Sequence, residues 1–490
     1  MTHVILFTSA ENPLRSMGVA KLATLLRERN LIVETIDFVD FWSTQDLENV
    51  FKKCCTKQTL MIGTSCNFVD RQQQRNIIRF AKKYAPNAKI LAGGQAHTTR
   101  NENMGFDLIV TSYIDNAIDD IVRYLRTGNI ENIRGIERSV GKSNCWYMDA
   151  SRHYPSQNIK DLAPRYNHSD VLTSNDYLGI EFARGCRFQC KFCNYPFLGV
   201  KENTTVEGHE ISKQFIDNYK NWGITNYIIN DSTFNDRTEK VKLLADIVER
   251  LPFEVNFSAY IRMDLLVRFP EQIFLLKKAR VWAHWYGTET FHSDAAKAIG
   301  KGMPSNRIKQ GMLDTKNYFL NELGLYRGHS SLIAGLPYEP SSSWETTEEW
   351  HLEHFNDQSR YWFSLELPDI DAPEVEHSVF TKNLSKYGIR KMQNKERLSA
   401  LVLEGYKTAN YSIPWEHDTV DLLDAWTFKE KFDKTVLPNL PVNNFSIIPL
   451  TKFLDNQDLL SYTNKDNRSG PIKNKIQHDY IKNKKKYLDI

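Results

Sequence analysis

The 490-residue chain has no apolar run long enough to span a bilayer. Its early apolar run, Val4-Ile5-Leu6-Phe7, is too short for a signal peptide and leads into Thr8-Ser9-Ala10-Glu11-Asn12. Net charge is nearly absent: 63 Lys and Arg against 60 Asp and Glu leave +3, so no global field selects nucleic acid or a membrane surface. The seven cysteines, an odd number, are not spread like a disulfide framework. These absences together point to a cytoplasmic protein in a reducing compartment. What is present is an apolar fraction of 41% with 12% aromatics, ample for sizeable cores, and length enough for about three domains, or two plus an extension.

Three of the cysteines stand close together. Cys186, Cys190 and Cys193 lie in Ala183-Arg184-Gly185-Cys186-Arg187-Phe188-Gln189-Cys190-Lys191-Phe192-Cys193-Asn194, a C-x3-C-x2-C spacing. Cys145 is the nearest other cysteine and none follows, so no fourth thiolate is at hand. An iron–sulfur cube normally takes four cysteines, and an open position separates a reactive metal site from a structural one. A zinc knuckle uses CxxC pairs in a closed set of four, which this loop lacks.

That spacing, with Arg184-Gly185 before the first cysteine and Phe192 before the last, resembles the radical S-adenosylmethionine (SAM) superfamily. The resemblance implies that Cys186, Cys190 and Cys193 bind a [4Fe-4S] cluster and that the SAM methionyl group chelates its open iron. One electron then cleaves SAM to methionine and a 5'-deoxyadenosyl radical. The strand reading supports it. Leu178–Ala183, Asn226–Asn230, Val255–Ala259, Trp282–Tyr286, a strand within Leu325–Ile333, and Tyr361–Leu367 read as strands with helices between them, predicting a partial (β/α)6 barrel over 177–370. Functional groups of such barrels gather beyond the C-terminal strand ends. By position, the family resemblance assigns Phe192, Asp231, Arg262, Glu289 and Gly335 to SAM. The family's usual Gly-Gly-Glu is missing; Thr204-Thr205-Val206-Glu207 stands in the loop instead.

Residues 1–130 alternate short apolar runs (Val4–Thr8, Leu31–Phe38, Thr59–Ser65, Lys89–Ala92, Phe106–Thr111) with amphipathic helices such as Gly18–Arg29 and Gln72–Tyr84. This pattern predicts a doubly wound, flavodoxin- or Rossmann-like parallel sheet whose ligands sit beyond the C-terminal strand ends. With Gly63-Thr64-Ser65-Cys66 and Gly93-Gly94-Gln95-Ala96-His97-Thr98, it resembles the cobalamin-binding domain that precedes many radical SAM cores. The resemblance points to Ser65, Gly93, Gly94 and His97 as corrinoid contacts. No Asp-x-His-x-x-Gly occurs, so a lower axial histidine of that kind is missing. Members with this fold bind cobalamin without that motif or hold none, so the sequence leaves cobalamin open.

The connector 131–176 suggests a small hairpin at Ile133–Val140 and Trp146–Met148. Residues 371–490 form a mainly helical or irregular accessory region, expected to cover the open side of the barrel and help select substrate. Trp362, Trp415 and Trp426 read as core, and the basic run Ile481–Lys486 as a solvated helix end. The resemblance implies a small or medium-sized substrate and an electron donor such as flavodoxin or ferredoxin; no membrane or nucleic-acid partner is expected. If cobalamin is bound, methyl transfer follows; otherwise cyclisation, rearrangement or oxidation. A methylthiotransferase-like tRNA or protein modifier is the alternative, although Cys54, Cys55 and Cys66 suit a second cluster poorly because two are adjacent.

Overall fold

The computed structural model describes residues 2–10, 12–65, 69–94, 104–138, 145–154, 159, 162–193, 204–367, 378–406 and 413–490. Two compact units emerge: Met1–Gly185 with Leu198–Ile228 and Pro471–Ile490, and Cys186–Phe197 with Ile229–Gly470. Compactness thus cuts the chain near Gly185, Ile228 and Gly470.

In the first unit, β1 (Val4–Phe7), β2 (Val33–Ile36), β3 (Met61–Ser65), β4 (Lys89–Gly93), β5 (Leu108–Thr111), β6 (Ile136–Arg138) and β7 (Trp146–Asp149) form one sheet in the order β2-β1-β3-β4-β5-β7-β6. All neighbours run parallel except β6, which pairs antiparallel with β7. Helices α1 (Met17–Glu28), α2 (Thr44–Cys54), α3 (Arg71–Tyr84) and α4 (Ile118–Thr127) alternate with the strands. Ser16, Ser43 and Asp70 cap the first three by accepting from their free backbone amides. Strands covered on both faces read as unbroken apolar runs, and every residue of β1 and β5 is buried.

The doubly wound expectation holds, with two refinements. The run Leu31–Phe38 shortens to β2 because Phe38 takes a left-handed φ of 54° and opens a 3-10 turn. The connector hairpin exists, but its second strand β7 also extends the main sheet alongside β5.

Charged side chains lie inside this unit. Arg15 is ion-paired with Asp37 and Asp176 and sits over the Tyr480 ring, 4.1 Å from its centroid. Lys21 and Arg184 share Glu181, and Arg184 also meets Asp115. The last helix, Ser469–Leu488, turns Gln477, Tyr480, Ile481, Lys484 and Leu488 inward at helical spacing. Tyr480 accepts from the Asp37 amide at 2.9 Å. The terminal basic run is therefore not simply solvated: Lys484 is 0% exposed and ion-paired with Glu34, while Lys482 faces solvent.

The first unit also holds β8 (Tyr177–Ile180) and all but the last residue of β9 (Asn226–Ile229). In the second unit β10 (Asn256–Ile261), β11 (Val281–Glu289), β12 (Arg327–Ala334) and β13 (Ser359–Ser364) pair in sequential order. From β10 to β13 the pairing is parallel, and helices such as Thr238–Glu249, Ser305–Leu323 and Ser342–His354 intervene. This is the strand order of the expected partial barrel. In the second unit Trp285 packs on His329 and Phe445, with ring centroids at 3.9 and 4.8 Å. Trp362 and Trp415 are core, as their size suggests, and Trp426 packs partly buried against it. Among the described residues no helix is long and apolar enough to cross a membrane.

Breaking a buried ion pair strands one charge and costs roughly 3 kcal/mol or more. Lys484→Ala is expected to lower stability in urea unfolding by about that much, whereas Lys482→Ala changes it by less than about 0.5 kcal/mol. Equal effects of the two would show that Lys484 is not buried against Glu34.

Candidate active site

The cysteine loop begins at Gly185, whose φ of 88° suits glycine and turns the chain sharply. Backbone bonds then pin the loop within the second unit. Lys191 N–H donates to Ile299 at 3.1 Å, Phe380 N–H donates to Lys191 at 3.1 Å, and Cys193 N–H donates to Cys190 at 3.1 Å. Phe192 packs against the core around Trp362 and Trp415. Cys186, Cys190 and Cys193 are not joined in disulfides and are half-buried. Among the described residues no three His, Cys, Asp or Glu side chains already converge closely enough to hold a metal. The donor set nevertheless fits a three-thiolate cluster: three reduced sulfurs on one pinned loop, with solvent access.

Arg262, at the end of β10, meets this loop. Its Nη1 lies 3.6 Å from Cys190 Sγ, and its plane stacks 3.9 Å from the Phe188 ring centroid. Cys186 Sγ lies 3.9 Å from Thr233 Oγ1.

Phe192 and Glu289 line one cavity of about 250 Å³ together with Ser331, Ile333, Phe363 and Glu366. Glu289 takes a left-handed φ of 57° at the end of β11 and folds back over Gly287, where it is ion-paired with Lys301. A Cβ at Gly287 would stand 2.8 Å from the Glu289 carboxylate, so glycine makes this return possible. Gly335 has φ 95°, and a Cβ there would fall 2.1 Å from the Trp415 ring. Its side therefore belongs to packing and only its backbone is free to face a ligand. Asp231 is 1% exposed and held by Lys240 at 2.8 Å, with Asp236 on the same ammonium at 2.7 Å. Thus Phe192 and Glu289 share a cavity and Arg262 reaches the cysteine loop, whereas Asp231 is engaged in a buried ion pair. Lys240, Phe188 and Asp264 had not stood out in the sequence. The Asp231, Asp236 and Lys240 spacing was the available signal for the first of these.

In the first unit, Ser65 and Gly93 are register partners at the C-terminal ends of β3 and β4. A Cβ at Gly93 would meet nothing within 4 Å, which marks open space. Gly94 follows with φ 125°. Near this edge the Thr8 and Thr64 hydroxyls are buried without a hydrogen-bond partner. Open space beside orphaned donors fits a bound polar ligand such as a corrinoid. His97 lies outside the described residues. Burial pushes the thiols of Cys54 and Cys55 up to about 12, which opposes their serving as thiolate ligands of a second cluster; Cys66 lies outside the described residues.

No family model matches the chain, and no curated protein matches it. Solved structures do. TsrM from Kitasatospora setae, a radical SAM methyltransferase with cobalamin and a [4Fe-4S] cluster bound, matches at a TM-score of 0.64 and 13% identity, covering 98% of this chain and 100% of that one. The same enzyme with tryptophan substrate and a SAM analogue matches at 0.62 over 93% and 90%. OxsB, a cobalamin-dependent SAM radical enzyme, matches at 0.62 and 14% identity, over 96% of this chain and 72% of that one. The chain has the fold of cobalamin-dependent radical SAM enzymes. The likeness extends along nearly the whole chain, so the N-terminal sheet is part of it.

Beyond β12, Glu339 is 1% exposed and accepts from the hydroxyls of Thr290 and Ser343. Burial raises its carboxyl from 4.5 to about 7. The folded chain thus keeps a proton that the unfolded chain releases between those values, so this residue makes stability fall as pH rises through the window. Glu339→Gln is expected to gain about 2 kcal/mol relative to the unaltered protein between pH 5 and pH 8, read from urea midpoints. A pH-independent difference would show that Glu339 ionises normally.

Proposed function

We propose that the chain is a radical SAM enzyme that carries a [4Fe-4S] cluster on Cys186, Cys190 and Cys193 and a corrinoid at the C-terminal edge of its first sheet. The observation that carries the reading is the coincidence of a three-thiolate loop, one ligand short of a cube, with a cavity beside Phe192 in a chain of this fold. When bound, the cluster supplies the electron that cleaves SAM, and the corrinoid supplies a methyl carrier. We propose methyl transfer to a small or medium-sized substrate in the cytoplasm, with flavodoxin or ferredoxin as electron donor.

The chain's own residues have definable tasks. Phe192 borders the cavity and presents backbone to an adenine. Glu289, with Lys301 on its other side, accepts a cationic group such as the methionyl amine. Gly335 approaches through its backbone. Asp231, held by Lys240, shapes the strand end that the ligand meets. The apolar walls Ile333 and Phe363 keep water from the reacting carbon. Ser65, Gly93 and Gly94 leave room for the corrinoid, and the free hydroxyls of Thr8 and Thr64 stand nearby. By function the chain divides into a corrinoid-binding region 1–130, a connector 131–176, a radical core 177–370 and an accessory region 371–490.

Anaerobic reconstitution is expected to give roughly four irons per chain. Cys190→Ala is expected to reduce SAM cleavage under dithionite to background and to lower iron content. Retention of cobalamin by the unaltered protein, read in the visible spectrum, supports methyl transfer. A Cys190→Ala protein that still cleaves SAM contradicts the cluster assignment, and a protein that never retains cobalamin contradicts the corrinoid role.

A further inference from the structure

Arg262 is bound on every side by groups that fix its direction. Its Nε and Nη2 donate to the two carboxylate oxygens of Asp264 at 3.0 and 2.8 Å. Its face covers Phe188 at 3.9 Å, and the side chain is 10% exposed. The backbone is clasped as well: Asn235, 0% exposed, accepts from the Arg262 N–H at 2.8 Å and donates to its carbonyl at 3.0 Å. Gln272 in turn holds the Asn235 amide at 3.1 Å. With the fork committed to Asp264, the remaining Nη1 points at Cys190 Sγ, 3.6 Å away. A planar guanidinium locked this way loses little freedom when it donates.

We infer that Arg262 is a positioning residue for the cluster: it donates an N–H···S bond to the Cys190 thiolate and thereby raises the cluster's reduction potential. This rests on the cluster reading above and gives Arg262 a task in addition to any contact with SAM. The physics is direct. Reduction adds negative charge to the cluster and its sulfurs, and a cationic donor at one sulfur stabilises that charge. Hydrogen bonds to the sulfurs are among the factors that set iron–sulfur potentials, and charge-assisted bonds are the stronger kind. Phe188 and Asp264 hold the donor in place, so the effect does not depend on substrate.

The test uses the full chain, reconstituted anaerobically and measured without SAM, so that a contact to SAM contributes nothing. Iron content and the reduced-cluster EPR signal are read across a series of fixed potentials. Arg262→Gln is expected to load iron normally and, at the midpoint of the unaltered protein, to show a roughly tenfold lower ratio of reduced to oxidised cluster, as expected for loss of one charge-assisted bond. Arg262→Lys, which keeps the charge but not the fork, is expected to fall between them. A loaded Arg262→Gln protein with an unchanged ratio overturns this inference alone. Should that variant not fold, Arg262→Lys decides: a lowered ratio supports the inference and an unchanged one overturns it. An unaltered protein that takes up no iron overturns both this inference and the function proposed above.

Discussion

An iron–sulfur cube takes four ligands, and the loop after Arg184 offers three. In the proposed cluster that shortfall would open one iron to a reactant, and it would also remove one of the bonds that otherwise hold such a loop. The chain compensates with ordinary interactions. Gly185 makes the turn, backbone bonds to Ile299 and from Phe380 tether Lys191, and Phe192 packs, partly buried, against an apolar core. Arg262 then adds a directed donor at one sulfur. A loop that supplies a reactive site must be ordered by its surroundings, because its own ligands do not close the shell.

Buried charge is the second theme. In the first unit, Arg15 with Asp37 and Asp176, and Lys21 and Arg184 with Glu181 and Asp115, lie almost wholly out of water. Such pairs contribute little net stability once desolvation is counted. They do fix geometry, since displacement of one partner strands the other. Arg184, also stacked on Tyr113 at 4.1 Å, is two residues before Cys186. The helix α1 and the turn after β5 are therefore locked to the stretch of chain that leads into the cysteine loop.

Much of this was legible in the residues. Apolar runs of four to five residues separated by capped helices announced the first sheet, because covered parallel strands must be apolar on both faces. The cysteine spacing pointed to the proposed metal site, Phe192 came with it as the aromatic before the last cysteine, and Glu289 came from a strand end. Other features were hidden because they depend on distant partners. Lys484 sits in a run of lysines, and nothing local marks it as the one that turns inward to Glu34. Asp231 has the look of a ligand contact until Lys240, nine residues on, is seen to hold it. Gly335 reads as a residue that admits a ligand, yet Trp415 occupies the space its side chain would need. Periodicity reports burial, whereas ion-pair partners and close packing are set by tertiary contacts that no window contains.

The central claim is that three thiolates leave one iron for SAM. Mössbauer spectroscopy of 57Fe-reconstituted protein before and after SAM addition tests it most directly. Binding at the open site predicts that about one iron in four changes its isomer shift and quadrupole splitting while the rest stay as they were. A spectrum unaffected by SAM, with all irons equivalent throughout, would contradict it.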